Sequence, residues 1–371
     1  MFNFEILKGE SGTGARLGRL HTAHGAVDTP AFMPVATQAT VKALCPEEVE
    51  NMGFQMIIVN AYHMYIRPGH ETIEKLGGLH EFMSWKNPVT TDSGGFQVLS
   101  LAKSRKITEE GVIFQSHLDG SRHLLTPEKC VRIQEALGVD IMMCLDECPP
   151  YPSEKKYMRE SVDLTTRWAS LCMQSRNKDE SALFGIVQGG VYPDLRQRSA
   201  SGLLEIGFDG YALGGLGIGE DPERTYEITD STLAFIPKDK PRYLMGLGRP
   251  EDIVIAVSMG VDLFDCVIPT RNARNGTLFT SGGKLVIKNA RYAEDERPID
   301  ENCDCYTCRK FSRAYLRHLY MAKEVLVLRL LTLHNLGYYG KLMRDIRESI
   351  NNDNFPNLLS RVKSLGGKEQ C

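Results

Sequence analysis

The chain has 371 residues, 42% hydrophobic and 25% charged, proportions that exclude a disordered or collagen-like chain and allow a large core without staples. Its 44 Lys and Arg against 47 Asp and Glu leave a formal charge of −3, so nothing global points to nucleic acid. The balance is uneven, with 26 basic against 36 acidic side chains in residues 1–265 and 18 against 11 in residues 266–371.

Met1–Glu10 has no basic-then-apolar signal pattern, and no apolar run approaches a membrane span. A cytoplasmic, soluble protein is expected. Residues 2–8 and 15–21 read as two strands around Glu10-Ser11-Gly12-Thr13-Gly14, a hairpin ahead of the main domain. Short apolar strands then recur at 30–36, 56–62, 88–92, 141–146, 183–188, 210–214, 243–247 and 262–267. Helical patterns at 46–52, 69–83, 126–137, 153–176, 193–206, 221–235 and 249–260 follow most of them, and more lie beyond 309. Eight strand-helix units in about 250 residues predict an α/β chain folded as a TIM (β/α)8 barrel. An open doubly wound sheet is the runner-up, but no Gly-x-Gly-x-x-Gly follows the first strand. Segments 97–125 and 270–308 fall outside the repeat and are expected to project from the C-terminal face, where such barrels build their sites.

The strand ends carry the chemistry. They read Thr91-Asp92-Ser93-Gly94-Gly95, Leu145-Asp146-Glu147-Cys148, Val187-Gln188-Gly189-Gly190, Leu213-Gly214-Gly215-Leu216-Gly217 and Phe264-Asp265-Cys266. In a barrel, Asp92, Asp146 and Asp265 converge on one mouth. Each could instead cap the next helix. Three on one face beside Gly-Gly pairs favour a site, because glycine lets backbone N–H groups approach a ligand. Two carboxylates in different environments can divide nucleophile and acid/base work, as in glycoside-bond chemistry. With no Gly-x-Ser-x-Gly elbow and no P-loop, acyl transfer and nucleotide hydrolysis have no support.

Cys303-Asp304-Cys305-Tyr306-Thr307-Cys308 is a C-x-C-x-x-C cluster that needs a fourth ligand to close a structural zinc site. His334 is the candidate; His318 is nearer but lies on a helical pattern beside Arg317. A redox dithiol is the weaker reading. The other cysteines are scattered and form no disulfide framework. Around the cluster, Arg271, Arg274, Lys284, Lys288, Arg291, Arg309, Lys310, Arg313 and Arg317 are interleaved with Tyr292, Tyr306 and Phe311. Such a patch can hold phosphates and stack bases, although most of the aromatics are expected to pack the small zinc core.

Together these motifs resemble the bacterial-type tRNA-guanine transglycosylases, or queuine tRNA-ribosyltransferases, from Thr29-Pro30-Ala31-Phe32-Met33-Pro34-Val35 to Thr332-Leu333-His334-Asn335. The resemblance implies a barrel with a zinc subdomain inserted after the eighth strand: 1–28 hairpin, 29–269 barrel, 270–335 zinc-binding insertion, 336–371 closing helices. It implies exchange of the wobble guanine in GUN-anticodon tRNAs for a 7-deazaguanine, in queuosine biosynthesis, with the RNA backbone intact. By the same carry-over, Asp265 is the nucleophile and Asp92 the general acid/base. Asp146 and Gln188 bind the base edge with the Gly215 N–H and the Leu216 carbonyl. Phe96 stacks on the base; some members have Tyr there. Thr270, Arg271 and Arg274 hold the anticodon loop, and Cys303, Cys305, Cys308 and His334 bind one structural Zn2+. No organic cofactor is implied, and a homodimer is. Eukaryotic relatives that accept queuine carry glycine in place of Ile218 and a small apolar residue in place of Cys148, so 7-aminomethyl-7-deazaguanine is the expected base. Archaeal relatives carry a long C-terminal RNA-binding extension and modify a different tRNA site; with the zinc helices so near the end of this sequence, an archaeal-type activity is not expected. A noncatalytic RNA-binding partner subunit is the alternative, but it would lack part of the catalytic set. An unrelated metallohydrolase would need strand-end ligands, and only His63 qualifies.

Overall fold

In the computed structural model, which describes residues 2–101, 104–177 and 180–366, eight parallel strands close on themselves. In chain order they are Ala31–Ala36, Ile57–Val59, Val89–Thr91, Ile141–Met143, Ala182–Val187, Gly210–Leu213, Arg242–Leu244 and Leu263–Cys266. Leu263 pairs with Ala31 to shut the barrel between its last strand and its first. Seven of the strands are buried at every residue, and the eighth is open only at Asp265. Both faces are covered, by helices outside and packed side chains inside, which is why they read as apolar runs without alternation.

Met33, Ile58, Met143, Phe184, Ile186, Ala212 and Tyr243 belong to the inner core, and Leu20 and Val27 of the N-terminal sheet join them. Gly210 makes room there: a Cβ would lie 2.4 Å from the Phe184 ring. The N-terminal segment forms three strands rather than two, Asn3–Gly9, Arg16–Thr22 and Gly25–Thr29. The third is short and carries Asp28, so it lacks an apolar signature, but its pairing with Arg16–Thr22 holds it. This sheet sits on the barrel floor. There Arg16 pairs with buried Asp262 at 2.6 Å, and the His24 N–H donates to Asp140 at 3.1 Å.

The expected helix at 69–83 is two helices, His70–Lys75 and Gly78–Met83, broken where Gly77 and Gly78 take φ of +90° and +86°. Within segment 97–125 the alternation becomes a three-stranded antiparallel sheet, Arg105–Thr108, Gly111–Gln115 and Arg122–Leu125.

After the eighth strand come a short helix, Ile268–Arg274, and a hairpin, Thr277–Thr280 with Gly283–Val286. Two further helices, Tyr306–Lys310 and Arg313–Met321, lead into Val325–Asn351. That last helix is continuous for 27 residues. Its N-terminal half packs Val327, Leu330 and Leu331 into a separate small core with Leu278, Tyr292, Leu316 and Cys308. Its C-terminal half lies against the barrel, where Tyr339 meets Phe32 and Arg347 donates to the Pro30 carbonyl at 2.9 Å. One helix thus ties the metal-type cluster to the barrel wall.

Of the three aromatics near the cysteines, Tyr292 is buried, Phe311 is half-buried and Tyr306 is 50% exposed. Tyr306 fails to pack because Tyr306, Phe311 and Tyr315 run along an outer face, with ring centroids 5.8 and 5.4 Å apart. Among the described residues no helix is long and apolar enough to cross a membrane.

Candidate functional site

Asp92, Asp146 and Asp265 all lie just past or at the C-terminal ends of barrel strands. None is the N-cap of the next helix along: Glu154 precedes Lys155–Ser175 and Val267 precedes Ile268–Arg274. Asp92 closes a local turn by accepting from Gly94 N at 3.1 Å, but it also accepts from Ala61 N at 3.0 Å and from the Asn60 side-chain amide, across from the neighbouring strand end. Burial pushes its carboxyl up to about 7. The Asn60 and Ala61 donors pull it down, and the nearby Asp265 charge adds to the rise. A carboxyl poised at neutral pH can both give and take a proton there.

Asp265 accepts from the Tyr243 hydroxyl at 2.6 Å and from Gly246 N at 2.8 Å. Desolvation raises its carboxyl above the ordinary range, while these two donors work in the opposite direction. They also fix which oxygen is occupied: both bonds go to Oδ1, and Oδ2 takes neither.

The remaining groups follow without a gap. Ser93, beside Asp92, donates to Asp146 Oδ1 at 2.9 Å, and Gln188 Nε2 donates to Asp146 Oδ2 at 2.8 Å. Gln188 Oε1 is buried with no hydrogen-bond partner among the described residues. Gly215 (φ +64°) must be glycine here, since a Cβ would fall 2.5 Å from that Oε1. Cys148 Sγ would lie 3.8 Å from that Cβ. Phe96 is 50% exposed, and the Gly95 before it packs against the Asp146 carbonyl. Leu216 is buried and Ile218 half-buried on the loop after the sixth strand. Ile218, Gln188 and Gly215 line a cavity of about 130 Å³ with Tyr151 and Tyr192. The result is a small pocket near which carboxylate, amide and backbone groups converge.

Thr270, Arg271 and Arg274 sit on Ile268–Arg274, the helix that starts as the eighth strand ends. Arg271 is exposed; Arg274 is half-buried and donates to the Thr270 carbonyl at 2.9 Å; Thr270 itself is buried. Cations are therefore presented at the rim beside Asp265. His63 packs edge-on to Tyr62 and His117, with ring centroids 5.3 and 5.7 Å away.

Cys303, Cys305, Cys308 and His334 form a group in which all four donor atoms lie within 4.8 Å of one another. The Sγ to His334 Nδ1 separations are 3.8, 3.7 and 3.3 Å. Tetrahedral bonds of about 2.3 Å to sulfur and 2.0 Å to nitrogen demand roughly 3.5 Å between such donors. His334 Nε2 lies 2.7 Å from the Phe279 carbonyl, which only accepts. Nε2 therefore carries the hydrogen and the Nδ1 lone pair faces the sulfurs. His318 is exposed on Arg313–Met321 and takes no part.

A second His–Asp group has a different character. His24 and His80 reach Asp140 at 3.0 and 3.4 Å, but their rings stack at 3.5 Å and 16°. Parallel rings place their in-plane nitrogens side by side, which suits two hydrogen bonds to one carboxylate better than a shared ion. Although burial alone would raise it, bonds from His80, the Val89 N–H and His24 bring the Asp140 carboxyl down to about 2.

Sequence reading missed Asn60, Tyr243 and Gly246, the partners of the two carboxylates. Asn60 directly follows the Ile57–Val59 strand, so extending the strand-end reading to the second strand would have found it. Tyr243 lies inside a strand and gave no local signal.

A family model described as Queuine tRNA-ribosyltransferase matches residues 11–365. A protein of Caldanaerobacter subterraneus subsp. tengcongensis named Queuine tRNA-ribosyltransferase is 57% identical over 351 residues, covering 94% of each chain. Proteins of the same name from Thermoanaerobacter pseudethanolicus and Bacillus licheniformis are each 54% identical, the first over 99% of this chain and 98% of its own, the second over 94% and 92%.

Proposed function

The chain belongs to the queuine tRNA-ribosyltransferase family, and on that premise we propose that it exchanges the wobble guanine of GUN-anticodon tRNAs for 7-aminomethyl-7-deazaguanine, in queuosine biosynthesis. The observation that carries this reading is the pair of carboxyls at one barrel mouth, Asp92 raised to about 7 and Asp265 held through a single oxygen.

In this reading an Asp265 oxygen attacks the ribose anomeric carbon as the bond from that carbon to guanine breaks. The bonding electrons leave with guanine, and the Asp92 carboxyl gives the departing base its proton. The ribose is then an ester of Asp265. The incoming base loses its ring N–H proton to the Asp92 carboxylate, attacks the same carbon and displaces Asp265. Two inversions give net retention.

The pocket supports the assignment of the other groups. Asp146 is an acceptor for the donor-rich edge of a guanine-type base, once Gln188 Nε2 turns from Asp146 to the exocyclic oxygen. The Gly215 N–H joins Gln188, the Leu216 carbonyl accepts from the aminomethyl group, and Phe96 stacks on the base. Cys148 and Ile218 bound the 7-substituent. Thr270, Arg271 and Arg274 hold the anticodon stem-loop, so the basic last third of the chain grips one loop of RNA rather than a long duplex.

The fitting metal is one structural Zn2+ on Cys303, Cys305, Cys308 and His334, since three thiolates and an imidazole at these spacings leave no open position. The reaction needs no organic cofactor. The exposed Tyr306 and Tyr315, joined through the half-buried Phe311, with Met321 and Val325 also exposed on the helices that follow, support a homodimer through this region. Such chemistry on tRNA belongs in the cytoplasm.

The test is a base-exchange assay with radiolabelled guanine and unmodified tRNA, with 7-aminomethyl-7-deazaguanine and queuine as competitors. Incorporation by the wild type, stronger competition by the aminomethyl base, and loss of both incorporation and covalent tRNA adduct in Asp265→Asn are expected. Exchange at the normal rate by that variant would overturn the nucleophile assignment.

A further inference from the structure

Arg196 lies in the first turns of the Pro193–Ile206 helix and is 0% exposed. Its guanidinium donates to three backbone carbonyls, Gly190 at 2.8 Å, Val187 at 2.9 Å and Gly215 at 3.4 Å. The Glu220 carboxylate favours its protonated form, the nearby Cys148 thiol is pushed up to about 12 by burial and so stays neutral, and neither makes an ion pair with it among the described residues. Buried Arg16, by contrast, is matched to Asp262 through two hydrogen bonds. Burial brings the Arg196 guanidinium down to about 10, which leaves it a cation at neutral pH.

A buried cation resting only on carbonyls is a costly way to fill space. What it holds explains its presence. Val187 ends the fifth barrel strand, and Gly190 and Gly215 lie on the loops after the fifth and sixth strands; these segments enclose the Gln188 amide. Gly214 and Gly215 approach that amide closely enough that a Cβ on either would lie 2.7 or 2.5 Å from its atoms. In a trans peptide the carbonyl and the next N–H point to opposite sides. Holding the Gly215 carbonyl on Arg196 therefore fixes the plane of the peptide entering Leu216, and the positive charge polarises each amide it holds.

We propose that Arg196 is a positioning residue for the incoming base, acting through Gln188 and the Gly215–Leu216 backbone to set the groups that read the base's exocyclic-oxygen edge. The inference rests on the base-exchange reading above. It assigns Arg196 an effect on recognition of the free base and none on the grip on RNA, because the rim cations lie on a different element.

Arg196→Lys keeps charge and approximate size but cannot bridge three carbonyls; Arg196→Met keeps length and removes the charge. Full-length variants are assayed for guanine exchange, with KM for guanine and for tRNA measured separately beside circular dichroism. One lost charge-assisted hydrogen bond corresponds to about tenfold or more, so KM for guanine should rise about tenfold in Arg196→Lys and further in Arg196→Met. KM for tRNA should stay within about twofold, well under the effect of one such bond. The Lys variant decides the matter whether or not the Met variant folds. An unchanged guanine KM in Arg196→Lys, or equal rises in both KM values, overturns the proposal. A wild type that exchanges no guanine removes the base-exchange reading itself, a result distinguishable from either.

Discussion

The Tyr243 hydroxyl donates to Asp265 Oδ1 at 2.6 Å, from the strand next to the one that carries Asp265. Burial and the Asp265 charge hold the phenol well above its usual range, so it stays a donor at any workable pH. Its bond lowers the Asp265 carboxyl against the upward push of desolvation. Tyr243→Phe should let that carboxyl rise, moving the acid limb of the exchange profile to higher pH. Rate at the optimum should fall about tenfold, the worth of one hydrogen bond to a charged group. An acid limb that stays where it is would show that the limb belongs to another group.

Asp92 gives a prediction about stability. Its carboxyl is at about 7 in the folded chain against an ordinary value of 3.8, so between those pH values the folded state holds a proton that the unfolded state has released. The contribution to stability is full below the unfolded value and is lost as pH rises through about 7. Asp92→Asn removes this dependence. The variant should be more stable than the wild type at pH 8 by about 1–2 kcal/mol and unfold at a higher temperature, because the Asn60 amide then faces an amide and the full linkage gain is not reached. The advantage should vanish near pH 4, and exchange should be lost at both. Thermal unfolding at the two pH values checks this; equal differences at both would refute the raised carboxyl.

The metal group makes a separate prediction. His334 links the cysteines to the Thr277–Thr280 strand through the Phe279 carbonyl, and the Val325–Asn351 helix carries His334 into the barrel wall. Cys305→Ala should lower bound metal from one equivalent to near none and expose residues 277–310 to protease, while the barrel keeps its circular dichroism. Normal metal content in that variant would remove Cys305 from the ligand set.

How much of this was legible in sequence follows from the range of the interactions. The barrel strands announced themselves because burial on both faces makes an apolar run, which needs no knowledge of the partner strand. The three cysteines did so because their spacing is local. The third N-terminal strand was invisible, since Gly25-Ala26-Val27-Asp28-Thr29 is stabilised by pairing rather than by its own pattern. Tyr243 and Asn60 meet their carboxylates 22 and 32 residues away. Arg196 reads as one more charge on an amphipathic helix, and only the folded loops reveal that it faces inward.

Ile218 carries the last prediction. It is half-buried on the loop after the sixth strand and lines the cavity of about 130 Å³ together with Gln188 and Gly215. Tyr151 and Tyr192 line the same cavity, so the Ile218 side chain borders space that is already there. Ile218→Gly should therefore enlarge one continuous space. The Glu220 carboxylate, which accepts from Gly217 N at 2.5 Å and from Ile218 N at 3.2 Å, holds this loop through backbone N–H groups that glycine retains. The loop should keep its course, and the loss of packing should cost about 1–2 kcal/mol at a half-buried position. Competition by queuine against labelled guanine should strengthen in the variant, while competition by the aminomethyl base weakens by less than about tenfold, the range a few lost apolar contacts can supply. Queuine competition that is unchanged in a folded variant would show that Ile218 does not set the size limit, and would point instead to Cys148, whose Sγ lies close to Gly215.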